Sequence, residues 1–105
     1  MKPREFFENR MPTLLRMAFH NLPDKVTFAF FLGDSGAWQV ERIGGSIWVG
    51  PIDQKPKDCE LHCSAAVFFE IVSGVLNPRR AFLDGRLRLQ GDLGLALRLQ
   101  DVLIA

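Results

Sequence analysis

The side chains best suited to chemistry in this 105-residue chain are two cysteines and two histidines. Cys59 and Cys63 stand four positions apart, and on one strand that spacing separates their Cα atoms by about 13 Å. A disulfide requires about 4.4–6.8 Å between the two Cα atoms, so these thiols cannot pair with each other. The ligand-pair spacing of a zinc motif is also absent, and we expect two buried thiols that act as small hydrophobes.

Neither histidine has the neighbours that catalysis requires. His20 is expected at the end of the first helix, where the negative end of the helix dipole favours a cation. His62 alternates outward from Leu61 and Cys63, which predicts a strand surface position. No nucleophile or carboxylate pair lies at a motif spacing from either ring. The sequence therefore predicts no enzyme, no cofactor and no metal.

The composition predicts one small domain, residues 1–105, with more apolar side chains than it can bury. Apolar residues make up 48% of the chain and include nine Phe and two Trp. A chain this short buries only about two-thirds of the surface that its unfolded form exposes, so apolar surface should remain for a ligand or a partner. The formal net charge of +1 gives no field that would steer the protein to nucleic acid.

The N-terminus and the lengths of the apolar runs indicate where in the cell the protein is expected. Residues 1–10 lack the unbroken apolar stretch of a signal peptide, and no later run approaches the length of a membrane span. We therefore expect a cytoplasmic protein with at most transient membrane contact.

The spacing of apolar residues changes along the chain in a way that predicts an α+β domain. Helical spacing from Phe6 to Phe19 gives way after Pro23 to an alternation of period two, and the turn residues 33–36 and 44–45 then predict hairpins. The order predicts a five-stranded, mainly antiparallel sheet with helices covering one face. The remaining predicted elements are strands at 46–50, 59–63 and 86–90, a loop at 51–58, and helices capped by Ser64, Asn77 and Asp92.

Two of these helices are apolar on nearly every side. Between residues 65 and 72 only Glu70 is charged, and the last helix is almost as apolar. Such a helix must be covered by the sheet and then by another helix, a ligand or a second chain. Phe31 and Trp48 are predicted on the other sheet face, where they would favour a homodimer or a protein partner if that face is uncovered.

The stretch 74–92, GVLNPRRAFLDGRLRLQGD, closely resembles the signature of sterol carrier protein type 2 domains. In that family a helix ending in Gly, a short Asn-Pro turn, a Phe near a Gly-basic-apolar strand and a Gly-Asp entry to the next helix occur in this order. The hairpin that ends near Trp38 and the strand leading into the Ser64 helix are similar to the rest of that domain, so the resemblance covers most of the chain.

The resemblance implies an apolar tunnel between sheet and helices that binds sterols, fatty acyl chains or related lipids, with no catalytic residue. Whether that space is hollow or is a filled core that serves protein interaction stays open at this level, because the same residues suit both. Arg79, Arg80, Arg86 and Arg88 are interpreted as a solvated face, with lipid head groups as the alternative. The candidate ligand-binding residues are Phe28, Phe30, Trp38, Phe68, Val72, Leu76, Phe82, Leu87, Leu89, Leu95, Leu99 and Val102.

Overall fold

The computed structural model describes residues 2–103, which form a five-stranded sheet with helical segments before, within and after it along the chain. The N-terminal region is helical throughout: α1 (Pro3–Glu5), a π-helical segment (Phe6–Arg10), α2 (Met11–Met17) and a 3₁₀ turn (Phe19–Asn21). The elements that follow are β1 (Lys25–Phe31), a 3₁₀ turn (Gly33–Ser35), β2 (Ala37–Ile43), β3 (Ser46–Gly50), β4 (Cys59–His62), α3 (Ala65–Val72), α4 (Pro78–Leu83), β5 (Arg88–Gly91) and α5 (Leu93–Leu103).

The strands form one sheet in the order β3-β2-β1-β4-β5. Three of the pairs are antiparallel, and β1 pairs with β4 in parallel, with Phe30 opposite Leu61. A parallel pair needs a crossover, and here the β2-β3 hairpin and the loop 51–58 supply it. The predicted α+β class and mainly antiparallel sheet are confirmed, with this one parallel pair.

Side-chain caps begin the later helices at the predicted positions. The Ser64 hydroxyl accepts a hydrogen bond from the Val67 amide at 3.1 Å, and Asn77 Oδ1 accepts one from the Arg79 amide at 2.8 Å. Gly74 follows α3 at φ +80°, a conformation that glycine adopts without a Cβ penalty. The two side-chain caps satisfy amide groups in the first turns of α3 and α4 and so fix where these helices begin.

The N-terminal helical region carries two adjacent phenylalanines into the core. The Met11 amide donates to the Phe6 carbonyl five residues back, which is the hydrogen bond of a π-helix. Phe6 and Phe7 are 3% and 0% exposed. The ring of Phe7 lies 4.9 Å from that of Trp38 and 5.4 Å from that of Phe68, so one side chain joins the N-terminal region to both the sheet and α3.

A buried arginine fixes the 3₁₀ turn after α2 onto the β2-β3 hairpin. Arg42 Nη1 donates to the carbonyls of Phe19 at 2.7 Å and Leu22 at 3.0 Å, and Nε donates to the Gly44 carbonyl at 2.8 Å. The guanidinium also lies 4.0 Å from the centroid of the Phe19 ring. Burial of this charge is tolerated because its donors have partners.

The loop 51–58 covers the centre of the sheet face that points away from the helices. Gln39 on β2 is fully buried there, and its Nε2 donates to Asp53 Oδ2 at 3.1 Å. In return the Asp53 amide donates to Gln39 Oε1 at 3.0 Å. The predicted loop is confirmed, and it leaves only the margins of this rear face uncovered.

Replacement of Phe7 by alanine tests whether this ring organises the core. We expect Phe7→Ala to lower the free energy of unfolding by about 3–5 kcal/mol, because it removes a fully buried ring and leaves a cavity. Phe82→Ala is the matched control, since that ring is 46% exposed, and it should cost about 1 kcal/mol or less. Urea unfolding followed by circular dichroism measures both values, and equal losses would contradict the central role of Phe7.

Candidate functional site

A narrow cavity lies between the sheet and the helices α3 and α5. Its volume is about 60 Å³, enough for a few methylene groups but not for a whole lipid. Nearly every side chain around it is apolar, and Gln100 is the one amide among them. The lining consists of Leu61, Cys63, Phe68, Ile71, Pro78, Leu87, Leu89, Ala96, Leu97, Leu99, Gln100 and Leu103.

The periodicities of strand and helix bring these residues together. Leu61 on β4 lies opposite Leu89 on β5, so both side chains point to the helix side of the sheet. On α5, Ala96, Leu99 and Leu103 recur at spacings of three and four, which places them on one face of the helix. The cavity is therefore a direct result of two apolar patterns facing each other.

The cavity reaches the surface between α4 and α5. Leu97 lines it and yet is 53% exposed, and Pro78 at the start of α4 lines the same space. Gln100, one turn along α5 from Leu97, is partly exposed at this edge. We call this opening the mouth.

A second, open groove of about 410 Å³ lies on the other side of Leu103. Phe6, Phe69 and Val72 form its apolar walls. Arg10 and Ser73 add a cation and a hydroxyl group. Leu103 lines both spaces, so its side chain lies between the narrow cavity and the open groove.

Residues 17–103 match the model of the SCP-2 sterol transfer family. The chain belongs to that family. The match confirms the resemblance that the stretch 74–92 indicates, and it extends over all five strands. Among residues 2–103, no helix combines the length and apolar character that crossing a bilayer demands.

Curated and solved SCP-2 relatives agree with this assignment. Human sterol carrier protein 2 is 33% identical over 70 residues, which are 67% of this chain but only 13% of the human protein. The sterol carrier protein domain 2 of Helicoverpa armigera is 26% identical, with a TM-score of 0.62 over 94% of this chain and 77% of that one. Palmitated SCP2L2 of Aedes aegypti is 21% identical, with a TM-score of 0.69 over 100% and 96%.

Part of the predicted ligand-binding set surrounds the SCP-2 cavity directly. Phe68, Leu87, Leu89 and Leu99 line it, and Val72 lines the neighbouring groove. The four that line the cavity come from α3, the turn before β5, β5 and α5, so segments far apart in the chain meet around one space.

The other predicted residues lie elsewhere in this SCP-2 domain. Phe28, Phe30 and Trp38 pack in the core around Phe7, and Phe82 is 46% exposed on α4. Those that are buried close to the cavity without lining it are Leu76, Leu95 and Val102.

Sequence reasoning missed several lining residues of the cavity. Ala96 and Leu103 share the α5 face of Leu99, and their spacing was a usable signal. Leu61 and Cys63 lie on the helix side of β4 by simple alternation from Cys59. Pro78 carried no such signal, because its place at the mouth depends on how α4 packs.

Burial keeps the cavity thiol in its neutral form. Desolvation raises the pKa of Cys63 from 9.0 to about 11. Cys59 is raised to about 11 as well, first by burial and then by the charges of Asp92, Glu60 and Asp58. A thiol that is protonated at neutral pH is a poor nucleophile. In the described part of the chain, no three His, Cys, Asp or Glu side chains gather as metal ligands would.

The pH dependence of alkylation tests this thiol. In Cys59→Ala, the rate at which iodoacetamide modifies Cys63 should reach half its maximum at a pH of about 11, whereas in the denatured chain it should do so at about 9. Because the folded pKa is the higher one, the shift stabilises the fold below pH 9, and this stabilisation is lost as pH rises towards 11. Mass spectrometry measures the rate, and a half-maximal rate at pH 9 in the folded protein would contradict the burial.

Proposed function

We propose that this chain binds the apolar tail of a lipid, foremost a fatty acyl chain, between its sheet and the helices α3 and α5. It acts as a carrier or accessory module and catalyses no reaction. The observation that carries the proposal is the apolar cavity, because nothing in its lining but Gln100 and Cys63 offers a polar partner to a ligand. A space of this kind selects for hydrocarbon.

The size of the cavity sets how the ligand enters. Ligand pockets usually measure about 300–1,000 Å³, and the cavity here measures about 60 Å³. Rotation of the Leu103 side chain joins it to the open groove of about 410 Å³. A narrow passage of this form suits a flexible acyl chain better than a rigid sterol ring system. Sterols and isoprenoid-like tails would require a larger displacement of α5.

Binding energy comes from removing methylene groups from water. Each buried CH₂ contributes about 0.8 kcal/mol, and micromolar affinity corresponds to about 8 kcal/mol. About ten carbons must therefore be buried, and more to offset the ordering costs, so most of an acyl chain has to lie in the groove beyond the cavity. Arg10 and Ser73 at the groove suit the carboxylate of a fatty acid, since a guanidinium forms charge-assisted hydrogen bonds to such a group.

The relatives support a lipid ligand. The human relative bears the name sterol carrier protein 2, and the Aedes aegypti protein with the same fold was solved in a palmitated form. The absence of catalysis is supported by the chemistry of the cavity, since its one thiol, Cys63, is held protonated by burial.

Filling the cavity tests the proposal with little risk to the fold. Ala96 is almost fully buried against the cavity, and Ala96→Leu should occupy it and weaken binding of a fluorescent fatty acid at least about tenfold. The matched control is Ala66→Leu, since Ala66 is exposed on α3 and does not line the cavity.

Two readouts decide the outcome. Native mass spectrometry of the purified protein should detect retained host lipid, and fluorescence titration should give the affinity of each variant. If the wild-type protein neither retains lipid nor takes up the fluorescent fatty acid, the proposal is wrong. If Ala96→Leu binds as well as Ala66→Leu, the ligand lies elsewhere.

A second hypothesis concerns the rear face of the sheet. Trp48 is 45% exposed there, outside the area that the loop 51–58 covers, whereas Phe31 is stacked 4.5 Å from the His62 ring. If Trp48 forms a homodimer contact, light scattering should give twice the mass of the chain, and Trp48→Lys should return the protein to a monomer with unchanged circular dichroism. A wild-type monomer at high concentration would contradict this hypothesis.

A further inference from the structure

We propose that the rim of the mouth docks this protein onto the surface of an anionic lipid bilayer. The docking rim consists of α4 and the outer face of α5, with Arg79, Arg80, Phe82, Leu83, Leu93 and Leu97. The inference deepens the proposed function and depends on it for its purpose, because the rim surrounds the opening through which a lipid would reach the cavity.

Exposed apolar side chains flank the mouth on both sides. On α5, Leu93 and Leu97 are 52% and 53% exposed and lie one helical turn apart, so they form one stripe. On α4, Phe82 lies one turn beyond Pro78 and is 46% exposed. Pro78 and Leu97 both line the cavity, which shows that the two stripes border the same opening.

Leu83 is the most exposed apolar residue of the rim. It is 82% exposed and borders a surface depression with Arg79 and Arg80. The helix α4 turns its small residue, the fully buried Ala81, towards the core, and it turns Leu83 towards solvent. In water the exposed Leu83 side chain gains no free energy from burial. At a bilayer surface it would enter the interface between head groups and acyl chains.

The charged residues of α4, beside Phe82 and Leu83, are both positive. Arg79 and Arg80 are exposed, and the ion pairs formed within residues 2–103 use neither of them. No acidic residue lies in α4, and the next carboxylate, Asp84, is paired with Arg86 at 2.8 Å. Two guanidiniums without carboxylate partners beside an apolar tip complement a surface of phosphates over hydrocarbon.

The rear face differs in this respect. Its exposed apolar residues, Ile43 and Trp48, have no arginine pair beside them, and Trp48 lies opposite Glu41 across the β2-β3 pair. Lys25 and Lys55 border a depression beside Ile43, but Glu41 and Asp58 line the same depression, so the charge there is mixed. At the mouth, by contrast, the exposed apolar residues of α4 lie beside two arginines that form no ion pair within residues 2–103. A lipid that leaves a bilayer through the mouth avoids exposure of its tail to water.

Co-sedimentation with vesicles tests the docking rim. The wild-type protein should bind vesicles of phosphatidylcholine with about 30% phosphatidylglycerol at least about tenfold more tightly than vesicles of phosphatidylcholine alone. Arg79→Glu with Arg80→Glu should abolish this preference. The matched control, Lys25→Glu with Lys55→Glu, makes the same charge change in an exposed region away from the mouth and should retain it.

The apolar part of the rim has its own matched pair. Leu83→Ser should weaken binding to the anionic vesicles at least about threefold, and Ile43→Ser should leave it unchanged, because Ile43 is 55% exposed on the other side of the sheet. Quenching by iodide reports orientation: Trp48 should stay as accessible on vesicles as in buffer, since it faces away from the docked side.

Fatty-acid titration in vesicle-free buffer separates this inference from the proposed function. If the protein takes up the fluorescent fatty acid but ignores anionic vesicles, or if the arginine variant binds them as the lysine control does, the docking rim is overturned and the proposed function stands. If Trp48 becomes shielded on vesicles, the docked face is the rear one and the rim is overturned as well. If vesicle binding follows the arginines while fatty acid uptake is absent, the rim is supported and the proposed function fails.

Discussion

The packing of Phe7 is the interaction on which the rest of the structure depends. Its ring is fully buried and stacks on Trp38 of β2 at 4.9 Å. It also packs at a tilt against Phe30 of β1 at 5.1 Å and stacks on Phe68 of α3 at 5.4 Å. Aromatic rings supply large apolar area with few rotatable bonds, so such a cluster is dense and rigid. It holds the N-terminal helices, the sheet and α3 as one body.

The opposite half of the helix-sheet interface is packed with smaller and more flexible side chains. Leucines and Ala96 from α5 meet Leu61 and Leu89 of the sheet, and a cavity of about 60 Å³ remains between them. Cavities cost stability because the atoms around them lose dispersion contacts. A domain that keeps an apolar cavity beside a dense aromatic cluster has a rigid half that defines its shape and a second half that an inserted hydrocarbon would stabilise.

The same asymmetry connects the proposed lipid site with the docking rim. Both are built from α5 and the residues around α4. The aromatic cluster around Phe7 contributes one residue, Phe68, to the lining of the cavity. Short helices that pack through a few side chains, such as Ala81 of α4, move at smaller cost than the strands they cover. The proposed ligand entry and surface contact would therefore involve the half of the fold that contains the cavity.

Much of the fold could be predicted from local patterns. The alternation of Val26 to Leu32 located β1, and the residues Ser64, Asn77 and Asp92 located three helix starts, because caps and strand periodicity depend on neighbours within a few positions. The π-helical hydrogen bond at Phe6 was not predicted, since apolar spacing over five residues does not distinguish it from an α-helical turn. The burial of Arg42 was also missed, because its acceptors lie about twenty positions away along the chain.

The amino-acid sequence alone determined the class of the fold, its family and the apolar character of the space between sheet and helices. Tertiary structure decided which apolar residues enclose that space: it placed Phe28 and Phe30 in a filled core, Leu99 and Ala96 at a cavity, and Phe82 at the surface. The physical reason is that hydrophobicity and period fix the face on which a side chain lies. Whether that face meets protein, empty space or solvent depends on the packing of elements that are far apart in the chain.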